Sequence, residues 1–356
     1  MALNRIQLTS FRNHPATRLE GTRAFNLLVG ENGAGKTNVL EALSLLAPGR
    51  GLRRAALPDL AAQHGPGTFA ISAVLGDGVQ IGTGTLAERP SRRTVQINGA
   101  EVPAVRLGEW LSLGWLTPVM DRLFMESAGA RRRFLDRLVL ALEPGHAKHA
   151  ARLEAALRER NRLLADPAEP DPVWLDGLEA QLAEAGALVA QARARLVERL
   201  AAALRELPEA PFARPELGYL PGGPLMQDEL ALALGASRRR DRAAGRTLVG
   251  PHRDELAVAM AGKDQPAADC STGEQKAMLI SITLAHAGLL EAARPAVLLL
   301  DEVAAHLDPL RRAALFERLR EGSAQVWLTG TELAPFDAIA SEAAVWRVAD
   351  GRVERV

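Results

Sequence analysis

Residues 30–37 form a glycine-rich segment, G-E-N-G-A-G-K-T, whose residue types suit the binding of phosphate groups. This segment, here called the phosphate loop, fits the pattern Gly-x-x-x-x-Gly-Lys-[Ser/Thr]. Lys36 is one of only four lysines in a chain that has 43 Lys and Arg residues. Lys36 would reach the β- and γ-phosphates of a nucleoside triphosphate, and Thr37 would ligate Mg²⁺. We therefore predict a triphosphate site here, with an ordinary glycine turn before a helix as the alternative.

An acidic pair, Asp301 and Glu302, ends the continuous apolar run V-L-L-L at residues 297–300. Asp301 would hold Mg²⁺ directly or through water, and Glu302 would polarise the attacking water as a general base. Lys36, Asp301 and Glu302 are thus the predicted catalytic residues. Asp308, in the loop that follows, is a further candidate for the same site. Each acid has a plainer alternative, since acidic residues also cap helices and occupy turns.

The elements that must position these residues can be predicted from the apolar pattern. Residues 25–29, F-N-L-L-V, are typical of a short buried strand, and residues 38–46 have apolar residues at helical spacing. Strand, glycine-rich loop and helix together aim backbone N–H groups at phosphates. The run at 297–300 is typical of a central strand in a parallel sheet that is buried on both faces.

A third segment, S-T-G-E-Q at residues 271–275, precedes the acidic pair. Residues 30–37, 271–275 and 298–302, with Asp308, resemble the Walker A, signature, Walker B and D-loop motifs of the ABC-type ATPases. Within that superfamily the chain resembles the RecF family, which is related to Rad50 and the SMC proteins. The segments that carry this resemblance are L-T-S-F-R-N at 8–13, A-R-R-R-F-L-D at 130–136, V-G-P-H-R-D-E-L at 249–256 and T-G-T-E at 329–332.

The resemblance implies a switch that depends on ATP and Mg²⁺ and whose site is completed by a second copy of the chain. Ser271 and Gly273 of one copy would cap the γ-phosphate that the other copy holds, and Arg12 and Asn13 would touch the nucleotide. The full set of implied nucleotide contacts is Arg12, Asn13, Gly30, Glu31, Asn32, Gly33, Ala34, Gly35, Lys36, Thr37, Asn38, Ser271, Gly273, Glu274, Gln275 and Asp308.

The resemblance also implies a role in the cell. RecF-family proteins couple ATP-dependent dimerisation to loading of the recombinase RecA at single-strand gaps, together with RecO and RecR. We therefore expect a weak, DNA-stimulated ATPase that binds double-stranded and gapped or single-stranded DNA and contacts RecR. The expected processes are recombinational repair, replication restart and SOS induction.

Two segments depart from the ABC-type pattern. Those ATPases usually have a Gln in the loop after the first lobe's sheet, but residues 116–121 are L-T-P-V-M-D. They also have a His after the strand beyond Walker B, whereas residues 328–331 are L-T-G-T, which fits RecF. Whether Asp121 replaces the missing Gln stays open.

Composition limits the class of protein. With 356 residues, 47% hydrophobic and 24% charged, the chain can form two lobes with a core each and is ordinary for a soluble globular protein. No apolar run approaches the ~20 residues of a membrane helix, and the N-terminus has no signal-peptide core. The single cysteine, Cys270, rules out an internal disulfide. We expect a cytoplasmic protein with no membrane partner.

The formal net charge is zero, so DNA contact requires an arrangement of basic residues and not an excess of them. Two clusters are the candidate DNA contacts: Arg131, Arg132, Arg133, Arg238, Arg239 and Arg240. Solvated helix faces with intrahelical ion pairs are the alternative, and only the family resemblance favours DNA. Aromatic residues make up 4% of the chain, so stacking on single-stranded bases has little support.

The predicted fold class is α/β. Residues 1–122 and 247–356 are expected to form an ABC-type ATPase lobe with a mixed sheet, and residues 123–246 a helical lobe that interrupts it.

Within the helical lobe we expect an antiparallel helical arm at residues 147–207. Apolar residues recur at three- and four-residue steps from Leu175 to Leu207, which predicts an amphipathic helix of more than 30 residues. A second helix at 147–165 would lie antiparallel to it, with the Pro-rich break at 166–172 as the hairpin between the two helices.

Other functions share these motifs. A transporter ATPase subunit would have a compact chain without an arm, and would carry the Gln and His that are absent here. Another SMC- or Rad50-type clamp, or a defence-system ATPase, would add a domain such as a metal-dependent nuclease, and no paired carboxylate site of that sort follows Asp308. Intact Lys36, Asp301 and Glu302 argue against an inactive scaffold.

Overall fold

The computed structural model describes residues 2–208 and 210–356. Its strands, numbered along the chain, are β1 (Leu3–Phe11), β2 (His14–Glu20), β3 (Phe25–Val29), β4 (Ala70–Leu75), β5 (Gln80–Leu86), β6 (Arg89–Ile97), β7 (Ala100–Glu101), β8 (Ser112–Leu116), β9 (Pro215–Leu220), β10 (Glu255–Met260), β11 (Gln265–Pro266), β12 (Ala296–Leu300), β13 (Gln325–Gly330), β14 (Ala343–Ala349) and β15 (Arg352–Arg355).

The helices are α1 (Lys36–Ser44), α2 (Leu57–Leu60), α3 (Ala128–Leu142), α4 (His146–Ala165), α5 (Pro172–Glu206), α6 (Gln227–Ala244), α7 (Thr272–Glu291), α8 (Pro309–Glu321) and α9 (Asp337–Ala340). Short 3₁₀ helices cover Ala104–Glu109, Pro118–Arg122, Pro251–Arg253, Ala267–Asp269, Ala304–His306 and Ala334–Phe336. In the described part of the chain, none of these helices combines enough length and apolar character to cross a bilayer.

An antiparallel sheet has the strand order β2-β1-β4-β5-β6-β7. In β1 the buried side chains are Leu3, Ile6, Leu8 and Phe11, with exposed polar residues between them. This alternation is that of a strand with one face against a core. The three-residue steps from Leu3 to Ile6 and from Leu8 to Phe11 break it. At the first of these, the pairing with β4 shifts register between Leu3 and Arg5.

A second sheet has the order β15-β14-β3-β13-β12-β8. Its strands β14, β3, β13, β12 and β8 run parallel, and β15 pairs antiparallel with β14. Every residue of β12 and β13 is buried, which confirms the central buried strand predicted at 297–300. The carboxyl ends of β3, β13 and β12 lie side by side, and such an edge is where α/β sheets bind ligands.

One hydrophobic core holds the two sheets and α1 together. It contains side chains from β1 and β4 of the antiparallel sheet, from α1, and from the central strands of the parallel sheet. Within it Trp327 of β13 and Trp346 of β14 stack with their ring centroids 5.4 Å apart. Each Å² of apolar surface removed from water contributes about 25 cal/mol to the stability of the fold. Burial of these side chains therefore holds α1 against both sheets.

The arm consists of α4 and α5, which pack along each other and share a core with α6. At the start of α5 the Asp171 carboxylate accepts a hydrogen bond of 2.8 Å from the Val173 N–H, and Pro172 occupies the first turn. The two long helices predicted at 147–165 and 175–207 are confirmed.

The chain divides into two compact units, residues 1–121, 209–212 and 279–356, and residues 122–208 and 213–278. Here the expected lobes are corrected, because residues 247–278 belong to the second unit and not with the ATPase strands. The reason is strand pairing across the connection that contains α6: β10 pairs with β9, and β9 packs against α5. Arg193 of α5 also donates to the Pro251 carbonyl at 2.7 Å.

Candidate nucleotide site at the carboxyl edge of the parallel sheet

The phosphate loop connects β3 to α1, as its sequence predicts. Its backbone is anchored to the neighbouring strand by a 3.2 Å hydrogen bond from the Gly30 N–H to the Gly330 carbonyl. Gly35 has a φ of 114°, and a Cβ there would lie 2.7 Å from Asn13 Nδ2 and 2.8 Å from His14 Nε2. Only glycine fits this backbone and this close approach, so the turn into α1 depends on it.

Lys36 lies inside the curve of the phosphate loop. Its Nζ donates to the carbonyl oxygens of Gly30 at 2.7 Å and Glu31 at 2.8 Å. Burial lowers the pKa of the ammonium group, and the negative charges of Glu302 and Asp301 raise it. The ammonium group of Lys36 is therefore held by the phosphate loop and is attracted by the acidic pair.

Thr37 and Asp301 bring the two ends of the chain together. The Thr37 hydroxyl lies 2.9 Å from Asp301 Oδ1 and 3.1 Å from Oδ2. Asp301 is 6% exposed; burial raises the pKa of its carboxyl group, and hydrogen bonds from Thr329 and Thr37 lower it. A hydroxyl and a carboxylate in contact are the hard oxygen donors that Mg²⁺ prefers, so this pair fits the predicted metal site.

Glu302 is half-buried, is the second residue after the end of β12, and has a backbone φ of 53°. Its N–H donates to Thr329 Oγ at 2.8 Å, and the same hydroxyl donates to Asp301 Oδ1 at 2.8 Å. The predicted base thus follows the predicted metal ligand in the chain. Its negative charge raises the pKa of Lys36.

The turn between β1 and β2 supports the phosphate loop. Asn13 Nδ2 donates to the Ala34 carbonyl at 3.0 Å, and Asn38 Nδ2 donates to Asn13 Oδ1 at 2.7 Å. The ring of His14 contacts the Gly35 carbonyl at 3.0 Å through Nε2, and burial lowers the pKa of this histidine. Asn13 therefore touches the loop itself, and its contact with a nucleotide stays a prediction.

Arg12 makes a two-point ion pair with Glu41 of α1, at 3.0 and 2.9 Å, and donates to the Asp59 carbonyl at 2.8 Å. Arg53 donates to Glu41 at 3.0 Å and to Asn38 Oδ1 at 2.7 Å. Glu41 is 1% exposed. The predicted nucleotide contact of Arg12 is untested, and its guanidinium is engaged by protein groups.

The far end of α1 is held by Arg93 of β6. Its guanidinium donates to the carbonyl oxygens of Leu45, Ala47 and Gly49, the last at 2.7 Å. Burial lowers the pKa of Arg93 to about 10. The last carbonyl groups of a helix have no partner within the helix, and Arg93 supplies donors just after the end of α1. The antiparallel sheet, through Arg93, thus holds the helix that carries Lys36 and Thr37.

The signature segment, residues 271–275, lies in the second unit at the start of α7. The Ser271 N–H donates to Glu274 Oε2 at 2.9 Å, and the Glu274 N–H donates back to Ser271 Oγ at 3.3 Å, which is a capping box. Lys263 Nζ lies 2.5 Å from Glu274, and its hydrogen bond lowers the pKa of that carboxyl to about 2. Ser271 and Gly273 are exposed, whereas Gln275 is buried and donates to the Cys270 carbonyl.

Asp308 serves as the N-cap of α8. Its carboxylate accepts a hydrogen bond of 2.9 Å from the Arg311 N–H. This is a helix-capping role, whereas the plainer alternative predicted for Asp308 was a turn residue. Asp121 lies in the 3₁₀ helix Pro118–Arg122, which begins two residues after β8. Strand β8 pairs with β12, the strand that precedes Asp301.

The six candidate DNA contacts differ in their exposure and in their hydrogen bonds and ion pairs with other protein groups. Arg131 is paired with Glu255 at 2.6 Å, and Arg132 donates to the Asp254 carbonyl at 2.8 Å. Arg238 pairs with Glu179 at 2.5 Å and with Asp176. The remaining members, Arg133, Arg239 and Arg240, are exposed.

Sequence reasoning missed several residues that contact the site: Thr329, His14, Glu41 and Arg53. Glu41 had a signal, since it is a charged residue on the apolar helix after the phosphate loop and needs a partner when buried. Thr329 was noted only where a His is missing, and a hydroxyl in a strand carries no pattern of its own. Its neighbours become apparent only when β13 is placed beside β12.

Residues 2–348 match the family model described as RecF/RecN/SMC N terminal domain. A DNA replication and repair protein RecF from Mesorhizobium japonicum is 46% identical over 369 aligned residues, covering 99% of this chain and 97% of that protein. The protein of the same name from Caulobacter vibrioides is 47% identical over 375 aligned residues, with 98% and 97% covered. A solved structure of the recombination mediator protein RecF-ATPrS in the RecFOR pathway has a similar fold, with a TM-score of 0.88 at 24% identity and coverage of 99% and 98%.

Proposed function

Because the chain belongs to the RecF family of DNA replication and repair proteins, we propose that it binds and hydrolyses ATP and acts on DNA as an ATP-controlled switch. The observation that carries this proposal is the contact between Thr37 and Asp301, at 2.9 and 3.1 Å. It joins the phosphate loop to the acidic pair at one sheet edge. Two motifs that lie far apart in sequence thereby form one site for a triphosphate.

Each residue of the site has a role in the proposed reaction. Lys36 binds the β- and γ-phosphates, and Glu302 accepts a proton from the attacking water. Thr37 and Asp301 hold Mg²⁺, which when bound neutralises charge on the phosphates. The loop residues 30–35 and Asn38 surround the phosphates with backbone N–H groups, and Arg12 and Asn13 add contacts beside them. Hydrolysis is slow and DNA-stimulated.

The site is proposed to be completed by a second copy of the chain. Ser271 and Gly273 are exposed at the start of α7, where free N–H groups attract anions. They would bind the γ-phosphate held by the partner, with Glu274, Gln275 and Asp308 lining the same interface. ATP then stabilises the homodimer because it binds both copies at once, and hydrolysis releases them.

The dimer is proposed to bind DNA and to help load RecA at single-strand gaps in recombinational repair, replication restart and SOS induction. The RecFOR pathway named for the structural relative supports RecR as the direct partner, with RecO acting in the same pathway. A pull-down of RecR on gapped and ungapped DNA, with and without ATP, tests this. If the amount of RecR captured is the same with and without ATP and on gapped and ungapped DNA, the proposal is contradicted.

The switch is tested by light scattering and phosphate release on two variants. Glu302→Gln is expected to bind ATP, stay dimeric and hydrolyse at least about 100-fold more slowly, since it loses a general base. Lys36→Ala is expected to remain monomeric with ATP because the phosphates lose their cation. Lys148→Ala, at an exposed lysine, serves as the control. A wild-type dimer that forms without ATP counts against the scheme.

A further inference from the structure

Thr329 occupies the strand position that lies between the two nucleotide motifs. It is the penultimate residue of β13, which pairs with β3 on one side and β12 on the other. In the pairing with β3 it is opposite Leu28, two residues before the phosphate loop begins. The neighbouring Leu328 is opposite Leu300, the residue before Asp301. A side chain at this place can therefore touch the acidic pair.

The hydroxyl of Thr329 both donates and accepts a hydrogen bond inside the protein. A threonine hydroxyl has one hydrogen to donate and two lone pairs to accept with. Here it donates to Asp301 Oδ1 at 2.8 Å and accepts from the Glu302 N–H at 2.8 Å. Thr329 is 1% exposed. One buried oxygen atom thus links the side chain of the metal ligand to the backbone of the general base.

The backbone at Glu302 needs such support. Its φ of 53° lies in the left-handed region, which a residue with a side chain seldom occupies. Such conformations persist only where surrounding contacts hold them, and they set the direction in which the side chain leaves the strand. The hydrogen bond from the Glu302 N–H to Thr329 is one of these contacts.

We propose that Thr329 is a positioning residue for ATP hydrolysis, whose hydroxyl fixes Asp301 and Glu302 relative to each other. Thr329 does not touch the reacting atoms in this assignment. It acts through the two acids, so its loss lowers the rate of the chemical step and leaves the affinity for ATP nearly intact. ATP affinity depends on the phosphate loop, which Thr329 does not contact by its hydroxyl.

The test compares substitutions that differ only in the hydroxyl. For Thr329→Val, of nearly the same shape, we expect kcat to fall about 10- to 100-fold, since hydrogen bonds to charged and buried groups are lost. The Kd of a fluorescent ATP analogue is expected to change less than about threefold. Thr329→Ser, which keeps the hydroxyl, is expected to retain kcat within about threefold. Thr331→Val, at the exposed threonine two residues on, is the matched control.

The outcomes separate this inference from a packing role. Equal loss in Thr329→Ser and Thr329→Val, or a wild-type kcat in Thr329→Val, overturns it. If Thr329→Val does not fold, as judged by its thermal melt, Thr329→Ala carries the same expectation.

Because the inference rests on the proposed ATPase activity, Glu302→Gln is measured in parallel. In the Glu302→Gln background, Thr329→Val is expected to slow hydrolysis less than about threefold further, as for two residues that act through one another. Independent, multiplicative losses overturn the assignment. A Glu302→Gln protein at the wild-type rate overturns the proposed base instead. Slow Glu302→Gln beside fast Thr329→Val overturns the Thr329 assignment alone.

Discussion

At the scale of single residues, the site holds a buried carboxylate that opposes folding. Burial raises the pKa of Asp301 above its ordinary value, although Thr329 and Thr37 both donate hydrogen bonds to it. The folded chain therefore binds this proton more tightly than the unfolded chain does. Above the folded-state pKa, ionised Asp301 lowers the free energy of unfolding, and a bound metal ion would offset that loss.

We expect Asp301→Asn to raise the Tm of the nucleotide-free protein at pH 7.5, because the amide keeps the size without the charge. The gain should vanish as the pH falls below about 4, the ordinary pKa of an aspartate, where both states are protonated. Calorimetry at both pH values measures it. Asp269→Asn, at an exposed acid, should leave Tm unchanged, and a lower Tm of Asp301→Asn at pH 7.5 would refute the argument.

At the scale of elements, a single arginine joins the arm to its neighbouring helix. Arg160 of α4 is fully buried and pairs with Glu179 of α5 at 2.9 Å and Asp241 of α6 at 2.6 Å. It also donates to Thr247 at 2.8 Å and to the Leu234 carbonyl at 3.0 Å. Buried charges are tolerated only when paired and hydrogen-bonded in this way.

Arg160→Met is expected to lower the free energy of unfolding by about 3–5 kcal/mol, because it removes the cation paired with buried Asp241 and leaves Glu179 with Arg238. Urea denaturation measures the loss. Arg158→Met is the control in the same helix, since Arg158 is exposed and its ion pair with Glu154 is at the surface. That change should cost less than about 0.5 kcal/mol. Equal losses in both variants would show that the buried network contributes little.

At the scale of the whole molecule, 43 basic residues balance 43 acidic ones, so the chain has no excess of positive charge. DNA binding would therefore depend on where the arginines lie. In the two arginine clusters, Arg131 and Arg238 are committed to ion pairs. Arg239 and Arg240 are exposed on α6. If DNA contacts the clusters, these two residues and Arg133, which is also exposed, have the guanidinium groups that phosphates can reach most readily.

We expect Arg239→Ala/Arg240→Ala to weaken binding to duplex DNA and to reduce the slope of log K against log salt by about 2, because each lost phosphate contact removes about 0.9 from it. Fluorescence anisotropy over a range of KCl concentrations measures both. Arg158→Ala/Arg162→Ala removes two exposed arginines of α4 that pair with Glu154 and Glu159, and it should leave the slope unchanged. An unchanged slope in both would exclude this cluster.

The sequence alone determined the features that depend on neighbours along the chain. The phosphate loop, the buried strand before Asp301 and the long helix of the arm each have a local pattern, in glycines, in apolar runs or in helical spacing. The family followed from short motifs in the chain, among them the phosphate loop and the segments at 8–13, 130–136, 249–256 and 329–332. The roles of Ser271 and of the arginine clusters need a second molecule or DNA, so they stay predictions.

Only the tertiary structure decided which distant residues meet. Strand order places β13 between β3 and β12, and this puts the Thr329 hydroxyl against Asp301 and Glu302. The pairing of β9 with β10 likewise draws residues 247–278 into the second unit. A hydroxyl or a single arginine has no periodicity, and its partner is chosen by packing across the fold, so no pattern within the chain could have identified either contact.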